Sequence, residues 1–286
     1  MYAEKALDSW MSQETTLKPV HIIPLLATMV GSYCRSYSSP FNSDRDLRVI
    51  YVSPVEDYLS VFKNERVVKS WKSGDGEWDV SGWDLSRFLQ LVWSGDPNAY
   101  EVIDSPCTNR SVLKFHSSLQ ALSREVFNRE GLFHGHRGQA NNMANAYRHR
   151  GMNEFLKLGV SPAKYVLHRA YSLMAAMYVV QTGNVPPLNI QQLSQTMPEL
   201  CNFDCVPVQE LANNRLAGRP MSQRSVHGVF LLTDRLDELV THSVPFIKAH
   251  ALSEEQKTRN AEKLNAFLRD VLLNRRKYGA EKSTHA

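Results

Sequence analysis

The chain of 286 residues carries 33 Lys+Arg against 29 Asp+Glu, with 43% hydrophobic and 22% charged residues. That composition excludes a disordered chain, a fibrous repeat and a small disulfide-stapled scaffold. Four cysteines (Cys34, Cys107, Cys201, Cys205) without a CxxC pair point to reduced thiols. The longest apolar run, residues 21–30, contains a proline and is about half of the roughly 20 residues a membrane helix needs. The acidic N-terminus (Glu4, Asp8, Glu14) lacks the basic start and apolar stretch of a secretory signal. A cytoplasmic protein with no membrane partner is expected.

The net charge of +4 hides an asymmetry: residues 1–110 hold 11 Lys+Arg against 15 Asp+Glu, and residues 111–286 hold 22 against 14. An acidic front half and a basic second half fit a part that handles metal or nucleotide joined to a part that meets phosphates.

In chain order, residues 21–30 read as a buried strand ending at Gly31-Ser32, and residues 46–52 (DLRVIYV) as a second strand. Residues 66–71 and 77–80 pair across a Gly74-Asp75-Gly76 turn. Leu85, Phe88, Leu89 and Val92 then stand on one helical stripe that Gly95 stops. Beyond Ser111 helices dominate. Ser161-Pro162 starts one that Gly183 ends, Leu264, Phe267, Leu268, Val271 and Leu272 form the stripe of a basic C-terminal helix, and the tail after Gly279 reads as frayed. The pattern predicts an α+β domain over residues 1–110 and a helical domain over 111–286.

The segment with chemistry is Gly31-Ser32 followed, eleven residues on, by Ser43-Asp44-Arg45-Asp46. Aspartate is a poor strand former, yet Asp44 and Asp46 open a good strand, and a spacing of two puts both carboxylates on one face. Like charges that close repel unless a cation lies between them, and all-oxygen ligands suit Mg²⁺ or Mn²⁺. Gly31 allows backbone N–H groups to approach phosphate oxygens. The third acid is Asp79 or Asp84. Asp84 opens a helix, where a carboxylate caps orphan N–H groups, so Asp79 is assigned to chemistry and Asp84 to capping. Lys164 and Arg169, five apart on one helix, read from their residue types alone as a solvated helix edge. His134, His136 and His149 read as surface, Cys201 and Cys205 as packing, the Arg129/His134 and Arg235/His242 pairs as chance, and Trp71, Trp78, Trp83 and Trp93 as core.

The Gly-Ser, x11, Asp-x-Asp pattern resembles the active-site pattern of the DNA polymerase β nucleotidyltransferase superfamily. Residues 43–61 (SDRDLRVIYVSPVEDYLSV), 79–92 (DVSGWDLSRFLQLV) and the Pro97…Glu101…Ser105-Pro106 stretch resemble the nucleotidyltransferases associated with RNA repair and RNA ligase. The chain departs from that family in the loop. Tyr33-Cys34-Arg35-Ser36 stands where an arginine and a second glycine are usual, and Phe41 lengthens the loop by one. The resemblance implies a mixed β-sheet flanked by helices, followed by an α-helical domain. It implies transfer of an NMP from an NTP to a hydroxyl acceptor such as an RNA 3′ end, including tRNA, with Asp44, Asp46 and Asp79 holding Mg²⁺ or Mn²⁺, and with Gly31, Ser32, Lys164 and Arg169 on the nucleotide. The alternatives are a protein AMP-transferase of a toxin pair and a non-catalytic RNA-binding module.

Overall fold

The structure, a computed structural model, describes residues 5–11, 22–37, 45–60, 70–73, 76–111, 113–157 and 161–274. After a short helix α1 (residues 5–11) come β1 (Ile23–Val30), β2 (Arg45–Val52), α2 (Val55–Leu59), β3 (Ser70–Lys72) and β4 (Trp78–Asp84). Next are α3 (Leu85–Ser94), α4 (Pro97–Asp104), β5 (Thr108–Ser111), α5 (Leu113–Glu125), α6 (Arg129–Lys157) and α7 (Pro162–Thr182). The rest is helical: α8 (Ile190–Cys201), α9 (Val206–Leu216), α10 (Gln223–His242), α11 (Val244–Ala249) and α12 (Glu254–Leu273). The α+β class expected from the sequence is the observed one.

Five strands form one mixed sheet in the order β3-β4-β2-β1-β5. β1 runs antiparallel to β2 and β5, β2 and β4 are parallel, and β3 returns antiparallel to β4. Proline cannot donate to a ladder and is tolerated at strand starts and bulges. Pro24 is second in the interior strand β1, where the register with β2 shifts between Pro24 and Leu26. Strand β5 (TNRS) was not foreseen, because a four-residue polar edge strand leaves no alternating apolar signal.

Side-chain alternation gives the sheet two apolar faces. Leu47, Val49, Tyr51, Trp78 and Val80 pack with Ala6, Leu7 and Trp10 of α1 on one side. Gly82 leaves room there for Trp10, whose ring would lie 2.5 Å from a Cβ at that position. On the other face Leu26, Val30, Ile50 and Val52 pack with the stripe of α3 and with Phe115 and Leu119 of α5 and Leu264 and Val271 of α12. The sheet's core thus takes residues from both sides of the 110/111 division expected from the sequence. α12 closes back on the sheet domain, with the Phe267 ring 5.9 Å from that of Phe115. Its basic face is largely ion-paired, Lys257 to Glu254, Arg259 to Glu255 and Lys263 to Glu125. A separate core forms around α7, which is buried among α6, α8, α9 and α10. Among the described residues no helix is long and apolar enough to cross a membrane. The Gly74-Asp75 part of the β3–β4 turn, residues 66–69, Phe41 and the tail after Gly279 lie outside the described residues.

Candidate functional site

In the parallel β2–β4 pair Asp46 stands in register with Asp79. Register partners on neighbouring strands, about 4.8 Å apart, point to the same side, here the side of Val30, Ile50 and Val52. Both aspartates are half-buried at the strand ends where this face leaves the core. Asp79 is the second residue of β4, and Lys72 reaches it from β3 at 3.7 Å. Asp44 lies outside the described residues.

Asp46 also meets the end of β1. Val30 is its register partner there, and the Asp46 Oδ2 would be 2.6 Å from a Cβ at Gly31, whose φ is +77°. Gly31 through Ser36 form a hydrogen-bonded turn, with Arg35 N–H donating to Gly31 O and Tyr37 N–H to Ser32 O. Ser32 is buried in this turn.

The residues that hold the turn escaped the sequence reading. Gly31 N–H donates to Glu101 Oε1 at 2.7 Å, while Arg35 Nη2 donates to Glu101 Oε2 at 2.9 Å, with both side chains buried. Arg35 Nη1 donates to His168 Nε2 at 2.8 Å, which fixes His168 as a neutral acceptor, and the guanidinium lies 4.5 Å from the Tyr171 ring centroid. Burial alone would lower the pKa of Arg35, but the Glu101 carboxylate outweighs it and raises it. Burial and then the Arg35 charge hold His136 neutral, its pKa lowered to about 3, and push His168 well below its ordinary value. Ser105 donates to Met29 O at 2.6 Å and Cys34 to the same oxygen at 2.7 Å, pinning the turn to β1. The Glu101 and Ser105 of the recognised stretch are therefore the turn's scaffold.

Lys164 and Arg169 part ways. Lys164, half-buried, is one turn from His168 and close enough to depress its pKa. Arg169 faces α10. It donates to Thr233 Oγ1 at 2.6 Å, pairs with Asp234 at 2.7 Å and lies 4.7 Å from the Phe230 ring centroid, so the structure does not bring it to the aspartates. Asp84 caps α3, accepting from Ser86 N–H at 2.9 Å and from the Tyr58 hydroxyl at 2.6 Å.

His134 and His136 lie inside α6, and His136 is buried rather than at the surface. Arg129 donates to the carbonyls of Val179 and Val180 at the end of α7. Cys205 is buried against Met174, whereas Trp93 is partly exposed rather than core.

Two carboxylates abreast of a glycine backbone are an all-oxygen donor set that suits a hard divalent cation. Among the described residues no group of three or more His, Cys, Asp or Glu converges, so Asp44 would have to complete such a set.

The chain is 25% identical over 175 residues, 60% of its length, to the uncharacterized protein YcgL of Bacillus subtilis (strain 168). That alignment spans 64% of YcgL, just under two thirds. A nucleotidyltransferase-like protein from Exiguobacterium sibiricum 255-15, solved at 1.90 Å, aligns over 95% of this chain and 91% of its own, with a TM-score of 0.36 and 12% identity. The model of the RNA repair pathway DNA polymerase beta family (RlaP) matches residues 4–270. Matched over nearly its whole length, the chain belongs to the RNA repair pathway DNA polymerase beta family, and its fold is that of a nucleotidyltransferase.

Proposed function

We propose that the protein is a metal-dependent nucleotidyltransferase that moves a nucleoside monophosphate from an NTP to the 3′ hydroxyl of an RNA. The observation that carries this reading is the in-register pair Asp46 and Asp79 beside the Gly31-Ser32 turn. Mg²⁺ or Mn²⁺, held by Asp46 and Asp79 with Asp44, would neutralise triphosphate charge and acidify the acceptor hydroxyl.

Asp79 takes the proton of that hydroxyl. The oxygen attacks the α-phosphorus in line, a new P–O bond forms, and the bond to the β-phosphate bridge breaks to release pyrophosphate. Ser32 orients phosphate oxygens, and Lys164 adds positive charge from α7. Arg169 does its work between α7 and α10.

An RNA acceptor is supported by the family and by residues 211–233, which hold three arginines and no acid. Asn189 donates to Ser36 and Gln191 to Asn213, which brings the end of α9 beside the turn. Arg215 lies there, near Tyr37, and Arg219 and Arg224 are exposed without an ion pair among the described residues.

The test is incubation with each α-labelled NTP, Mg²⁺ or Mn²⁺ and total cellular RNA. Label should enter RNA, and Asp46→Asn or Asp79→Asn should cut transfer by about 100-fold or more at nearly unchanged Tm. Label on protein alone would move the acceptor from RNA to a protein hydroxyl. No label from any nucleotide with either metal would overturn the reading.

A further inference from the structure

We infer that Glu101 and Arg35 are positioning residues that set the shape of the Gly31–Tyr37 turn, so that the helical half of the chain fixes the triphosphate end of the site. The inference rests on the nucleotidyltransferase reading above.

Glu101 spends both carboxylate oxygens on the turn, one on Gly31 N–H at 2.7 Å and one on Arg35 at 2.9 Å. Gly31 is the residue whose Cα lies against the Asp46 carboxylate, so a shift of Glu101 passes directly to Asp46. Arg35 carries the other connection. Its guanidinium meets His168 and Tyr171 of α7, and its carbonyl accepts from Ile190 N–H at the start of α8.

Stability is a weak reason for such a pair. A buried ion pair loses most of its Coulomb gain to desolvation, and apolar side chains of similar volume are often as stable or more so. Arg35 Nε is moreover buried with no acceptor among the described residues, a further cost. What an apolar pair does not supply is an acceptor for the Gly31 N–H. Without one, that amide is released and the turn is no longer held at the angle that presents Ser32.

The experiment compares wild type, Glu101→Gln and the double variant Arg35→Met/Glu101→Leu. It reads Tm, KM for the NTP and kcat at saturating RNA. In Glu101→Gln the new amide group turns a donor toward Gly31 N–H or Arg35, so KM should rise about tenfold or more, the size of one lost hydrogen bond to a charged group, with a smaller change in kcat. The double variant should keep a Tm near that of wild type while KM stays raised, a split that a purely structural pair does not produce. Wild-type KM in a folded double variant overturns the inference. If the double variant does not fold, wild-type KM in Glu101→Gln does so. An active wild type with either result sinks the positioning role alone, whereas a wild type that transfers nothing sinks the nucleotidyltransferase reading and this inference with it.

Discussion

The carboxylate of Asp46 occupies the space in which a side chain at residue 31 would stand, since a Cβ on Gly31 would be 2.6 Å from its Oδ2. The turn therefore requires glycine twice, for this approach and for a φ of +77°, a region that costs other residues about 1–2 kcal/mol. The Gly31→Ala variant should unfold at a lower temperature and lose nearly all NMP transfer, because Asp46 must move out of line with Asp79. A thermal melt beside a transfer assay checks both effects. Wild-type transfer in that variant would show that the site does not depend on this contact.

Strands β1, β2 and β4 were legible because they are local signals. Residues 46–52 alternate well enough to define β2, and Asp84 and Gly95 cap α3 as their residue types predict. The scaffold of the turn was not legible, since Arg35 meets Glu101 across 66 residues and His168 across 133, and an arginine in a loop reads as surface. Lys164 and Arg169 illustrate the other limit. Five residues on a helix rotate by about 140°, so a helix that turns Lys164 and His168 toward the turn must turn Arg169 away. The partner of α12 was not legible for a similar reason, because its stripe shows that it packs but not that it packs against α3.

Acid should weaken the fold through two histidines. His136 and His168 are held neutral by burial and by Arg35, with Lys164 also facing His168. Their folded pKa values lie below the ordinary 6.5, so the unfolded chain binds more protons as pH falls. Their contribution is therefore intact above about pH 6.5 and lost progressively below it, toward about 3 for His136, at up to about 1.4 kcal/mol per pH unit for each histidine. Urea unfolding at pH 7.5, 6.5 and 5.5 (about one unit apart) measures that slope. His136→Gln should reduce it, and an unchanged slope would assign the acid sensitivity elsewhere.

Arg169 separates stability from nucleotide binding. Its guanidinium joins α7 to Asp234, Asp237 and Thr233 of α10, and the two acids are partly solvated, so they rehydrate when the cation is removed. Arg169→Met should cost about 1–3 kcal/mol in urea unfolding and leave KM for the NTP unchanged. A raised KM without loss of stability would return Arg169 to the nucleotide.

Salt dependence tests the basic corner between α9 and α10. Arg219 and Arg224 are exposed and have no carboxylate to pair with among the described residues, so their charge is available to phosphates. For single-stranded nucleic acid each neutralised phosphate adds about 0.7 to the slope of log affinity against log salt. If both arginines lie along the RNA, Arg219→Glu/Arg224→Glu should weaken binding of a labelled oligonucleotide at low salt and flatten the slope by about 1.4. KM for the NTP should stay at the wild-type value, because among the described residues neither arginine makes a hydrogen bond or ion pair with the Gly31–Tyr37 turn. An unchanged slope would remove this corner from the RNA path and leave Arg215, near Tyr37, and Lys164, beside His168, as the basic groups to test next.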